Sequence, residues 1–210
     1  MALEQENWES RDMRYIWHPA AQMKDYEALP PMVIARAKGV WLYDVHGKKY
    51  LDIISSWWCN LFGHCNPIIN QAVKEQIDNL EHVIFANFSN EAAIRLAEAL
   101  AKIVPKGLAK FHFNDNGSAA VEAALKMCFQ YHLQTGHPER QKFMCLSEGY
   151  HGETIGALSV GSLDLYAQMY KPMMMENVHV EAPDCYRCPY GKDRDHCQCE
   201  CVEHTEKALE

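Results

Sequence analysis

Val33 to Ile54 contains alternating, β-prone runs of apolar and polar positions, with Val40 to Asp44 and Lys49 to Ile53 within it. A period of two predicts strands, and the intervening Val45-His46-Gly47-Lys48 predicts a hairpin turn in which Gly47 takes a positive φ. The period then lengthens. Asn66 followed by Pro67 predicts a helix start, with asparagine as cap and proline in the first turn, running to about Glu81. Ala92, Ile94, Leu96, Ala97, Leu100 and Ile103 recur at helical spacing and predict a second helix, capped by Ser89 and closed by Pro105. His82 to Asn90, between the two, reads as a linker.

Further on, Ala109 to Phe113 predicts a short strand. A polar turn follows, Asn114 to Ser118, and then a helix with Val121, Ala124, Leu125, Cys128 and Tyr131 on one face. Gly136, His137 and Pro138 end that helical pattern. Lys142 to Leu146 predicts another strand, followed by the turn Glu148-Gly149-Tyr150-His151-Gly152 and a small-residue helix from about Thr154. Strand, Gly-Ser turn and helix together make a candidate anion site. The first helical N–H groups lack partners, the helix dipole is positive there, and Gly117 lets an anion approach the backbone beside Ser118. In an α/β sheet ligands collect at the carboxyl ends of parallel strands, which would bring Tyr150 and its flat ring to the same end. An aromatic, phosphorylated ligand fits that combination.

Composition narrows the classes without naming one. The 210 residues carry a net charge of −8, and 48% of them are hydrophobic, enough for a sizeable core. An acidic chain argues against nucleic acid and against anionic membrane as main partners. No apolar run approaches membrane-spanning length and the charged start lacks a signal peptide's apolar stretch, so the chain is expected in the cytoplasm. Nine cysteines without a secretory signal favour reduced thiols or metal ligation over a disulfide framework.

Two clusters add candidate chemistry. Ser55-Ser56-Trp57-Trp58 sets two tryptophans side by side; in extended chain they point to opposite sides, so at most one is easily buried and the other needs a second use. Residues 185–201 form a Cys-rich loop. If zinc binds there, Cys185, Cys188, Cys197 and Cys201 are the candidate ligands, with reduced structural thiols the preferred reading.

Ser55 to Trp58, Asp115 to Met127 (DNGSAAVEAALKM) and Gly149 to Gly161 (GYHGETIGALSVG) resemble the N-terminal half of the class III, fold type I, pyridoxal-phosphate aminotransferases. The resemblance runs from about Tyr15 to Pro183. It implies an α/β chain of the fold type I PLP-dependent transferase class: a three-layer αβα large domain, incomplete here, with the N-terminal portion of the small domain. Residues 1–65 would be the arm and hairpin of the small domain, and residues 66–210 the first part of the large, cofactor-binding domain. Pyridoxal 5'-phosphate is the implied cofactor, with Gly117 and Ser118 on its phosphate, Tyr150 on its ring and beside the substrate, and Trp57 on the substrate cleft. His151 is not the implied base, because the proton shuttle of these enzymes is a lysine.

Ile16 to Pro19 (IWHP) followed by SSWW narrows the resemblance to members acting in biotin biosynthesis. These convert 8-amino-7-oxononanoate to 7,8-diaminononanoate with S-adenosylmethionine or lysine as amino donor. Ala20 departs from the Tyr or Phe usual after Pro19. A homodimer is implied for the full-length protein, with residues 82–90 toward the subunit interface. The Schiff-base lysine and the aspartate on the ring nitrogen come from later strands and loops in this family. No catalytic lysine is therefore expected among these residues, and the chain by itself is expected to be inactive. The rival readings are another class III ω-amino acid or diamine aminotransferase, and a non-catalytic zinc-stabilised binding module.

Overall fold

Asn7, the first residue that the computed structural model describes, caps helix α1 (Trp8–Tyr15): its side chain accepts from the Ser10 amide at 2.8 Å. The structure describes residues 7–162 and 164–209, so positions 1–6 of the expected N-terminal arm lie outside the described residues. The chain divides into two compact units, 1–94 and 95–210.

In the first unit, β1 (Ile34–Lys38), β2 (Trp41–Asp44) and β3 (Lys49–Leu51) form an antiparallel sheet in the order β1-β2-β3. The expected hairpin is β2-β3, and Gly47 turns it with φ +85°. Asp44, buried at the end of β2, locks the turn. Its carboxylate accepts from the amides of His46 and Lys48 and from the Tyr50 hydroxyl. After the sheet comes α2 (Ser55–Trp58), a single turn with unusual backbone described below. Helix α3 (Pro67–Asn79) starts as expected, Asn66 accepting from Ile68 and Ile69. Helix α4 (Glu91–Ala101) is capped by Asn90 and not by Ser89: the Asn90 side chain reaches the Ala93 amide at 2.9 Å, the third helical position, which is where a cap oxygen can bond.

In the second unit, α5 (Gly117–Gln134) is the long helix expected after the Gly-Ser turn. The strand expected at Ala109 to Phe113 does not form, because no described strand supplies it with ladder partners. Instead β4 (Met144–Leu146) pairs in parallel with β5 (Val178–Val180), matching Cys145 with His179. Between these strands the chain runs through α6 (Ile155–Val160) and α7 (Asp164–Ala167). The core is small and centred on α6: Ala157, Leu158, Ser159 and Val160 are buried, together with Cys145 and Val180 of the strand pair. Ser159, wholly buried, donates to the Ile155 carbonyl and accepts from the Met175 amide, so its hydroxyl is satisfied. Helix α8 (Glu200–Leu209) follows the Cys-rich loop.

Leu125 and Phe129 of α5, with Phe143, Ile155 and Met175, line an apolar groove of about 630 Å³. No described helix is long and apolar enough to cross a membrane.

Candidate functional site

Asn116 makes the start of α5. Its side chain accepts from the Ala119 amide at 2.8 Å, and Gly117 and Ser118 are the first two helical residues, whose amides have no intrahelical acceptor. A Cβ built on Gly117 meets nothing within 4 Å, so the space beside this residue is open. Eighteen residues of aligned peptides put a full helix dipole behind it.

The Gly149 to Gly152 turn follows β4 and lies against that same helix end. Its closest approach is at Gly152, where φ is +120° and a Cβ would sit 2.8 Å from Ser118 Cβ and 3.1 Å from Ser118 Cα. Only glycine fits there, on both backbone and steric grounds. Tyr150, two residues earlier, is half exposed, and its hydroxyl donates to Glu153 at 3.2 Å. The structure thus brings Gly117, Ser118 and the Tyr150 turn together.

What joins them is a residue the sequence reading passed over. Glu122, one turn along α5, accepts from the Thr154 hydroxyl at 2.6 Å and from the amides of Gly156 at 2.8 Å and Ala157 at 3.3 Å. The first-turn amides of α6 are therefore capped by a carboxylate from another helix, which also complements the α6 dipole. The Thr154 hydrogen bond, followed by the two amides, holds the Glu122 carboxyl below the ordinary glutamate range. The available signal was an acidic residue among the apolar positions Val121, Ala124 and Leu125.

Trp57 belongs to the first unit, on α2. Ser55, Ser56, Trp57 and Trp58 have φ of 49°, 48°, 56° and 66°, four consecutive non-glycine residues in the left-handed region. Hydrogen bonds from Trp58 N to Ile54 O and from Asn60 N to Ser55 O make this a left-handed helical turn. Such backbone costs about 1–2 kcal/mol per residue, hence about 4–8 kcal/mol here, and survives only where the surroundings over-determine it. The expectation of an extended chain, with the two tryptophans on opposite sides, is corrected: both are exposed, at 66% and 80%.

The Cys-rich loop leads into α8. Cys185, Cys188, Cys197 and Cys201 line one small cavity, yet among the described residues no three His, Cys, Asp or Glu side chains are arranged to hold a metal ion. All nine cysteines are free thiols. Polar contacts close the loop instead: Cys197 donates to Glu200, Lys192 pairs with Glu200 at 3.0 Å, and Tyr190 stacks on His204 at 4.2 Å.

The aminotransferase class-III family model matches residues 22–210. The chain belongs to the class-III aminotransferases. An adenosylmethionine-8-amino-7-oxononanoate aminotransferase of Geobacter sulfurreducens is 44% identical over 200 residues, 95% of this chain and 44% of that protein. That of Methanocaldococcus jannaschii is 42% identical over 212 residues, 98% of this chain and 45% of that protein. The crystal structure of the latter superposes with a TM-score of 0.81, covering 86% of this chain and 41% of its own. An omega transaminase from Pseudomonas jessenii, in complex with PMP, gives a TM-score of 0.87 at 26% identity, covering 97% of this chain and 46% of its own. The chain thus spans less than half the length of these relatives. It has the α/β fold of the N-terminal part of the class-III transaminases, a family whose members use pyridoxal phosphate.

Proposed function

We propose that the full-length protein carrying this chain is a cytoplasmic homodimer that makes 7,8-diaminononanoate from 8-amino-7-oxononanoate in biotin biosynthesis. S-adenosylmethionine or lysine would supply the amino group, and the ketone oxygen of the acceptor would leave in exchange. The observation that carries this reading is 44% and 42% identity, over nearly the whole chain, to two proteins named for that reaction.

The residues present fit pyridoxal phosphate. Its phosphate would lie on the Gly117 and Ser118 amides and the Ser118 hydroxyl, where the open space beside Gly117 meets the donor-rich end of an 18-residue helix. Tyr150 would flank the ring and orient the substrate beside it, and Trp57 would wall the substrate cleft. When bound, pyridoxal phosphate supplies an electron sink for moving an amino group between two carbon skeletons. The chain's own work is to bind and orient: Asn116 fixes the helix end, Gly152 brings the Tyr150 turn against it, and Glu122 keeps the two in register. Residues 1–65 are assigned to the small domain and residues 66–210 to the first part of the large one.

The test is direct. Full-length protein, pyridoxal phosphate, 8-amino-7-oxononanoate and either donor should give 7,8-diaminononanoate by mass spectrometry; no product with either donor refutes the reading. A second reading, an ω-amino acid or diamine aminotransferase, is favoured by the TM-score of 0.87 to the Pseudomonas jessenii enzyme over 97% of this chain. A panel of ω-amino acid and diamine donors with pyruvate as acceptor distinguishes it.

A further inference from the structure

The left-handed turn at Ser55 to Trp58 has a holder. Asp52 accepts from the Ser56 amide at 3.0 Å, from the Ser56 hydroxyl at 2.8 Å and from His64 Nε2 at 2.8 Å. Its carboxylate is almost wholly covered, and the His64 ring largely so. Each partner is anchored in turn. The Asp52 amide donates to the Val40 carbonyl at the start of the hairpin. His64 exchanges two backbone hydrogen bonds with Gly39, at 2.8 and 2.9 Å, and Gly63 lies close enough to Gly39 that a Cβ there would sit 3.1 Å from it. A rigid sheet end therefore presents one acidic group to the second residue of a turn that L-residues avoid.

We infer that Asp52 and His64 are positioning residues for the substrate cleft: they pin Ser56 in left-handed backbone and so fix the directions in which Trp57 and Trp58 project. Two observations meet in this inference. One is a run of left-handed residues bearing large exposed aromatic rings, which has no packing explanation. The other is a covered carboxylate whose acceptor positions are taken up by that turn and by the histidine that braces it. Ser56 amide, His64 and Ser56 hydroxyl, in that order, hold the Asp52 carboxyl at about 2, so the group is a carboxylate throughout the working pH range. Removing it leaves the turn free to relax toward right-handed or extended backbone, and the tryptophans with it. The role deepens the proposed function, on which it rests through Trp57.

The experiment uses the full-length protein and three variants: D52A, H64Q and D52A/S56G. Glycine enters left-handed backbone without a steric penalty, so S56G restores the turn by a route that bypasses the carboxylate. D52A should raise KM for 8-amino-7-oxononanoate about tenfold, leave pyridoxal phosphate affinity within about twofold, and recover to within about threefold of wild type in D52A/S56G; H64Q should move KM the same way but less. An unchanged KM in D52A, or no recovery in the double variant, overturns the inference. Should D52A not fold, S56A removes the hydroxyl bond alone, and its KM decides in the same sense.

If wild-type protein does not turn over this substrate, the functional reading fails and the positioning role is read without it. Replacing Trp8, Trp17, Trp41 and every tryptophan that the full-length protein carries outside this chain by phenylalanine leaves Trp57 and Trp58 as the emitters. Acrylamide quenching of that protein should change about twofold on adding D52A and return on adding S56G. No change on adding D52A overturns the inference.

Discussion

Replacing Gly152 by alanine tests whether the Tyr150 turn truly presses on the start of α5. Two penalties add. At φ +120° an L-residue sits in backbone that only glycine uses freely, worth about 1–3 kcal/mol. The new methyl would lie 2.8 Å from Ser118 Cβ and 3.1 Å from Ser118 Cα, atoms that a change of rotamer cannot move. Overpacking of that kind costs another 1–3 kcal/mol or so, for a total of about 2–6 kcal/mol. The full-length protein should lose at least about 5 °C in melting temperature, and pyridoxal phosphate affinity should fall as Ser118 is pushed from its place. Deleting the Ser118 hydroxyl alone, in S118A, should weaken cofactor binding with little effect on melting. Combined, S118A/G152A should be less destabilised than G152A plus S118A summed, because the serine side chain is part of what the methyl strikes. A coupling of about 0.5–3 kcal/mol is expected. G152A with unchanged melting and unchanged cofactor affinity would refute the packing described here, and strict additivity would refute the contact with Ser118.

Three other outcomes are expected. E122Q removes the charge from the group that caps α6 and should destabilise by about 1–3 kcal/mol by thermal denaturation, whereas E153Q should have little effect. Acid should release the tryptophan turn: Asp52 is depressed from its ordinary 3.8 to about 2, so its contribution is complete above pH 4 and lost as pH falls toward 2. Near-ultraviolet circular dichroism of the full-length protein should follow that loss, and D52N should flatten it. N90A should weaken α4 by about 1 kcal/mol in chemical denaturation, while S89A should not.

Much of this was legible because it is local. Asn66-Pro67 announces α3, Gly47 announces the β2-β3 turn, and the run from Asn116 announces α5, since each depends on chemistry within a few residues. What escaped depends on partners or on handedness. Ala109 to Phe113 has strand composition, but a strand exists only where a neighbour offers a ladder, and none of the described strands does. The turn at Ser55 to Trp58 was invisible because side-chain pattern reports periodicity and not the sign of φ; Ser and Trp gave no hint of glycine-like backbone. Glu122 could be seen as an oddity on an apolar face, but its partners Thr154, Gly156 and Ala157 lie more than thirty residues away. The four loop cysteines share a cavity as their spacing suggested, yet spacing cannot dictate whether thiols converge.

Cys145 sits in β4 at the centre of the small core and is the one thiol among the described nine that is buried. Burial also pushes its thiol up from the ordinary range, so it is doubly shielded from alkylation, while six of the others stand exposed. A maleimide pulse would therefore tag the surface thiols at once and Cys145 only when the β4-β5 pair parts from α6, turning an ordinary mass spectrum into a clock for the opening of this half of the molecule.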